Sequence, residues 1–473
     1  MMLRSLNSPF PWKDFLKRLA VIAIPVALQN MLTTTGSMVD TMMIAGLGEL
    51  SVGAVGLCGQ FSSLMFSCYW GFVGGGMLFF SQYWGAKDGD GVDRSYGMTL
   101  SCMMTVALIF CLLATLVPDL VMTVYTDKTA IHEIGIRYLR IVGFAYPLQV
   151  FSMAMSALLR STDRVRIPLY ASVASVATNI FLNWVLIGGN LGAPALGVEG
   201  AAIATVCAAL INALLCFLLA RLSGYVHLTH FRKHFSWNKA WIKEYMRKCF
   251  PIIMNELLIG IGNAVISIVL GRQSEQAIAA IAVFRTLEGL VIGFFAGFAN
   301  AASVLVGTRV GAGELDTAYE RAKRLVYLCC STIFVVCLGI FLARYPILTV
   351  MGLSGESYRY GEMLVLIYGI AAVIRMGNWV QNDTYRSAGD ATTGTVLEII
   401  FMYAMILPMV CLSGLLFRWP FWAVFLCCYI DEPIRFVIMQ KHMYSGKWIR
   451  PVTPQGREAL PAFREKHGIR DKK

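Results

Sequence analysis

The chain alternates long apolar blocks with short polar ones. Twelve blocks stand out, at roughly 19–45, 53–84, 96–117, 136–158, 168–188, 201–221, 250–271, 278–309, 325–343, 361–385, 395–416 and 421–440. A helix needs about 20 apolar residues to cross the hydrocarbon core of a bilayer, so each block predicts one membrane-spanning helix. The polar connections alternate in charge. The N-terminus, the loops near 85–95, 159–167, 222–249, 310–324 and 386–394, and the C-terminal tail hold about 28 Lys and Arg, and the opposite set about six. The positive-inside rule then puts both termini and the 222–249 loop on the cytoplasmic side.

The spans repeat. At a shift of 226 residues Pro25 meets Pro251, Gly36 meets Gly262, "GAKDGD" from Gly85 meets "GAGELD" from Gly311, and Arg160–Ser161 meets Arg386–Ser387. Each match falls at the same point of the span pattern. Six spans per half is an even number, so the halves share one orientation. The predicted fold is therefore all-α and integral to the membrane, with twelve transmembrane helices in two six-helix lobes related by a pseudo-two-fold axis along the membrane normal and a site between them near the midplane. The domains read as a cytoplasmic N-terminus at 1–18, a first lobe at 19–221, a basic linker at 222–249, a second lobe at 250–440 and a cytoplasmic tail at 441–473. The tail "GREALPAFREKHGIRDKK" reads as polar and disordered. Two such lobes favour alternating access, and one chain completes the site, so a monomer suffices.

Composition agrees: 57% of the 473 residues are hydrophobic and 14% charged, against about a quarter charged in soluble proteins. The net charge of +12 is a topology signal and needs no nucleic-acid partner. The 13 Cys fall mostly in apolar stretches and read as small buried hydrophobes. No CxxC and no Cys/His metal-ligand spacing occurs, so no metal, no cofactor and no catalytic nucleophile is expected.

Charged and amide residues inside the spans carry the chemistry, because a bilayer tolerates them only at a cost. Asp40 is the one charge in the first span, about five residues from its outer end. Asn179 and Asn183, at i and i+4, share a face of the fifth span, and Thr205 lies at a matching depth in the sixth. An acid, two amides and a hydroxyl can hold a proton or a small hard cation through oxygen ligands. In the second lobe Ile266 stands where Asp40 would repeat. Glu256 has Arg375 as a geometrically possible partner, Arg285 and Glu288 at i, i+3 suggest a local pair, and Asp431 and Arg435 suggest another. Asp383 lies close enough to its loop to be interfacial. Pro25 in the first span and Pro251 in the seventh each remove a helical hydrogen bond and predict a kink.

Taken together, "PVALQNMLTTTGSMVDTMMIAGLG", "GVEGAAIATV", "RSTDRVRIP", "GAGELDTAYERAK" and "RSAGDATTG" resemble the multidrug and toxic compound extrusion (MATE) transporters over about 15–450. The resemblance implies a bacterial plasma-membrane antiporter exporting organic cations and other amphiphilic compounds in exchange for H+ or Na+. It makes Asp40 the first-lobe coupling carboxylate, Pro25 the helix-bending proline, Asn179 and Thr205 members of the cation group, and Glu256 the acid near the start of the seventh helix. Asn183 departs from the family, whose motif often has a second acid there. One negative charge fewer favours H+ over Na+. Rival readings are a lipid-linked oligosaccharide flippase of the same superfamily, which wants a more cationic cavity, and a membrane-embedded transferase, which wants clustered His and acids that these spans lack.

Overall fold

The computed structural model describes residues 10–469. They fold into helices and connecting turns, with no strand among them. The long helices are α1 (Trp12–Ala45), α2 (Glu49–Gly85), α3 (Gly89–Leu116), α4 (Thr129–Val142), α5 (Ala145–Ser161), α6 (Arg166–Gly188), α7 (Val198–Leu222), α8 (Lys239–Leu270), α9 (Glu275–Gly311), α10 (Leu315–Leu342), α11 (Gly355–Ser387) and α12 (Thr393–Leu416). Ten are long and apolar enough to cross a membrane singly. The pair α4 and α5, bent by 48° at Gly143–Phe144, makes an eleventh span.

The twelfth predicted span is not one helix. It is broken into α13 (Phe421–Cys427) and α14 (Glu432–Ser445). Pro433 explains the break: it has no N–H to give the carbonyl of Tyr429 one turn earlier. By contrast α1 and α8 run without interruption through Pro25 and Pro251. α12 absorbs its Pro408 with two widened π-type turns, Met402–Ile406 and Leu412–Leu416.

Backbone conformation bears out the repeat. Lys87, at φ +58°, closes the α2–α3 turn, and Gly313, at φ +80°, closes the α9–α10 turn; Asp163 and Gly389, at +62° and +97°, do the same after α5 and α11. Both pairs are 226 residues apart. There are two large hydrophobic cores, one per lobe, but α1 and α8 trade partners. Phe15, Leu19 and Ile22 of α1 pack in the second-lobe core, and Trp241, Tyr245 and Cys249 of α8 in the first-lobe core. The linker domain at 222–249 is thus not a free connector, since α8 begins inside it.

The lobes meet along a seam beside the basic loops. α2 and α9 cross so closely that a Cβ at Gly85 would lie 1.9 Å from the Thr308 carbonyl oxygen, and one at Gly311 1.9 Å from that of Gln82. Gln82 Nε2 donates to the Ser387 carbonyl at 2.8 Å, and its Oε1 accepts from Val452 N–H at 2.8 Å. The tail completes this seam, which corrects its reading as disordered. Trp448 is fully buried, and α15 (Pro454–Lys466) begins on a Thr453 cap whose hydroxyl also donates to the Gly311 carbonyl at 2.8 Å. α15 is held by Arg457–Glu244 at 2.5 Å and Lys466–Asp316 at 2.8 Å. Its polar face therefore meets protein charges, which composition alone cannot distinguish from water.

Candidate functional site

Two polar centres lie away from the seam, one in each lobe. In the first, α1 and α6 approach at Gly36, where a Cβ would stand 2.9 Å from Val176. One turn further on, this closeness brings Asp40 to Asn183, whose Nδ2 donates to Asp40 Oδ1 at 2.6 Å and to Asn179 Oδ1 at 3.3 Å. Asn183 is fully buried, and its Oδ1 has no hydrogen-bond partner. Thr205 on α7 donates to the Ala201 carbonyl at 3.0 Å and lies beside Tyr138, which is also near Asp40. The four residues singled out from the sequence thus converge, with Tyr138 added from α4. Its place in the bent fourth span has no sequence signal. Among the described residues, no Lys, Arg or His lies within ion-pair distance of Asp40. An unpaired acid beside a donated amide is suited to bind a proton or a cation.

The second centre is a charge network in α8, α9, α11, α12 and α14. Its pairing differs from the sequence reading. Arg375 pairs with Glu288 at 2.8 Å, not with Glu256, and Arg285 instead donates to Ser267 at 3.2 Å. Glu256 pairs with Arg386 at 3.2 Å, and Asp383 lies 3.8 Å from the same guanidinium. The Asp431–Arg435 pair is present at 3.6 Å, yet Arg435 is closer to Glu432, at 2.7 Å. Glu398 on α12, absent from the sequence reading, accepts from Asn255 at 3.0 Å and from Asn382 at 3.1 Å and faces Arg435 at 3.6 Å. It was recognisable as the lone acid of the eleventh apolar block. Of these groups Arg285, Glu288, Arg375, Glu398, Asp431, Glu432 and Arg435 line a cavity of about 110 Å³, and Glu256, Asp383 and Arg386 stand outside its lining. Carboxylates outnumber guanidiniums here, so a cation is favoured over an anion.

The repeat gives the two lobes one device with different partners. Arg160 and Arg386 occupy matching positions. Arg160 Nη2 donates to Gln29 Oε1 at 2.7 Å and its Nη1 to Asn300 across the lobes at 3.5 Å, whereas Arg386 has the acid Glu256. A cavity of about 1050 Å³ lies at the basic ends of the helices, lined by Lys17, Arg18, Lys87 and Arg321 among others. It touches neither centre, because the closed seam lies beside it.

Comparison with known proteins agrees with this architecture. The MatE family model matches residues 25–185 and 251–411, two segments related by the same 226-residue shift as the internal repeat. The chain is 22% identical over 421 residues to the uncharacterized transporter YisQ of Bacillus subtilis, covering 87% of this chain and 90% of that protein. It is 23% identical over 410 residues to the probable multidrug resistance protein YoeA of the same organism, covering 85% and 87%. In structure it resembles a mutant of the Vibrio cholerae MATE transporter VcmN, with a TM-score of 0.83 at 14% identity and coverage of 95% and 98%. It also resembles a multidrug resistance MATE family transporter in an outward-facing conformation, with a TM-score of 0.80 at 18% identity and coverage of 91% and 96%. With two family matches on the two halves of a twelve-span, two-lobe membrane fold, this chain belongs to the MatE family of multidrug efflux transporters.

Proposed function

We propose that the protein is a secondary antiporter that exports amphiphilic, mostly cationic compounds from the cytoplasm in exchange for H+, and that Asp40 carries the coupling proton. The observation that carries this reading is an intramembrane carboxylate with no basic partner, held by the Asn183 amide at 2.6 Å. The amide presents N–H to the acid, whereas a sodium site calls for oxygen ligands. Asn183 also carries no second negative charge, which further favours H+.

If the basic loops face the cytoplasm, the closed seam beside them makes this the outward-facing state. Substrate enters from the cytoplasm or inner leaflet in the opposite state, the lobes rock, and release outward is favoured when Asp40 takes a proton. Substrate and proton compete through one charge, which couples their movements. The multidrug names of the relatives support the substrate class. Arg375 lines the second lobe's cavity and Glu256 stands outside its lining; each already has an ionic partner and serves positioning. No cofactor is required, and the chain works as a monomer in the cell membrane with both termini inside.

The test is ethidium efflux from proteoliposomes under an imposed H+ or Na+ gradient, for wild type and Asp40→Asn. H+-driven efflux, lost in the variant, is expected. Na+-driven efflux would overturn the proton assignment, and normal transport by Asp40→Asn would move the coupling site to the acids around Glu256.

A further inference from the structure

The linker between the lobes carries a cluster that transport does not use. Asp93, near the start of α3, is 1% exposed, and each of its carboxylate oxygens faces a histidine of the linker. His227 Nδ1 is 2.6 Å from Oδ1, and His230 Nδ1 is 2.6 Å from Oδ2. The two histidines stand at i and i+3 of "HLTH", and a single 3₁₀ turn, His227–Thr229, sets both rings toward α3. His234, itself buried, fixes that turn through its Nε2 contact to the His227 carbonyl at 2.8 Å. Trp84 and Tyr225 pack against the His227 ring, at 6.0 and 5.2 Å.

A carboxylate only accepts, so as hydrogen bonds both contacts require each imidazole to carry its proton on Nδ1. A divalent ion takes the place of both hydrogen bonds when each imidazole carries its proton on Nε2 instead, leaving Nδ1 free to ligate. The three ligand atoms lie within 4.8 Å of one another. Two bonds of about 2.0–2.2 Å at a tetrahedral angle set their ligand atoms about 3.3–3.6 Å apart, so an ion closes the site by widening the two 2.6 Å contacts by less than about 1 Å and drawing the imidazoles together. Two imidazole nitrogens and a carboxylate are a donor set for zinc-like d-block ions, not for the oxygen-seeking Mg2+ or Ca2+. The nearby ammonium of Lys233 is paired with Asp90 at 2.7 Å and does not compete. His230, 34% exposed in its side chain, leaves a path for the ion and room for a water ligand.

We propose that Asp93, His227 and His230 form a binding site for a zinc-class divalent cation, which pins the inter-lobe linker to the foot of α3. The proposal departs from the expectation of no metal ligands. The sequence conceals the site because Asp93 lies 134 residues before His227, and only the docking of the linker joins them.

The test uses the full chain, purified in detergent and stripped with a chelator, titrated with ZnCl2 by calorimetry while trypsin cleavage after Arg232 and Lys233 is followed. One zinc per chain and slower linker cleavage are expected in wild type. The double variant His227→Gln/His230→Gln should bind at least about 100-fold more weakly, beyond the range usual for losing a mere supporting partner, with no zinc protection. His230→Gln alone, at an accessible position that spares folding, should lose about 10-fold or more. Equal zinc affinity in wild type and double variant, or binding without linker protection, would overturn the site.

Discussion

The α2–α9 crossing makes a quantitative prediction about the conformational equilibrium. In Gly311→Ala the new methyl would sit 1.9 Å from the Gln82 carbonyl oxygen and 2.5 Å from its Cα. Carbon–oxygen contacts rest at about 3.3–3.6 Å, so the helices must part by roughly 1.5 Å at the seam. Overpacking of this kind costs about 1–3 kcal/mol, and it is relieved when the lobes separate on the basic side. The helix-propensity gain of Gly to Ala, about 1 kcal/mol, is common to both states and cancels. The closed state should therefore lose about 5- to 150-fold in population, and Gly85→Ala, which meets Thr308 in the same way, should do likewise.

Cys249 reports the change. It is fully buried on α8 against Gly75 of α2, where a Cβ would lie in contact with its Sγ. Its modification by a water-soluble maleimide, mapped by peptide mass spectrometry, follows the open population when reclosing is fast. Cys329, fully buried within the second lobe's own core, is the control. Faster labelling of Cys249 alone is expected in both variants. Acceleration of both cysteines, or of neither, would refute the argument that this seam holds the lobes together.

Two further outcomes are expected. Trp448→Ala removes a fully buried indole that donates to the Met443 carbonyl at 2.9 Å and should cost about 3–5 kcal/mol; trypsin should then cut at Arg457 and Arg464 under conditions that leave wild type intact. Asp390, in the turn after α11, is raised by burial but held below the usual carboxylate range on balance by His442 at 2.9 Å, Arg450 at 3.2 Å and the Thr393 hydroxyl. A depressed folded-state pKa stabilises above the unfolded value of about 3.9 and is lost as pH falls through the folded one. The melting difference between wild type and Asp390→Asn should therefore be constant from pH 7 to about 5 and shrink below about 4; a difference that grows on acidification would reverse the assignment.

The spans, their orientation signals and the repeat were legible in the sequence because the bilayer acts locally: each apolar block is selected by its own length. Asp40, Asn179, Asn183 and Thr205 were legible for the same reason, since polar residues inside such blocks announce themselves. Their partners were another matter. Arg375 reaches Glu288 across 87 residues and Glu256 reaches Arg386 across 130, while the nearer choice of Arg285 with Glu288 was not taken. Which side chains meet depends on the rotation of each helix about its axis and on which helices abut, and both follow from close approaches such as Gly36 on Val176. The same packing joined Asp93 to the linker histidines and seated Trp448 and α15 in a tail that reads as polar. Sequence alone determined a two-lobed, twelve-span membrane protein with an acid in its first helix. Only the tertiary structure decided that this acid stands unpaired while the second lobe's acids are shared among arginines, because charge pairing is set by distances across the fold.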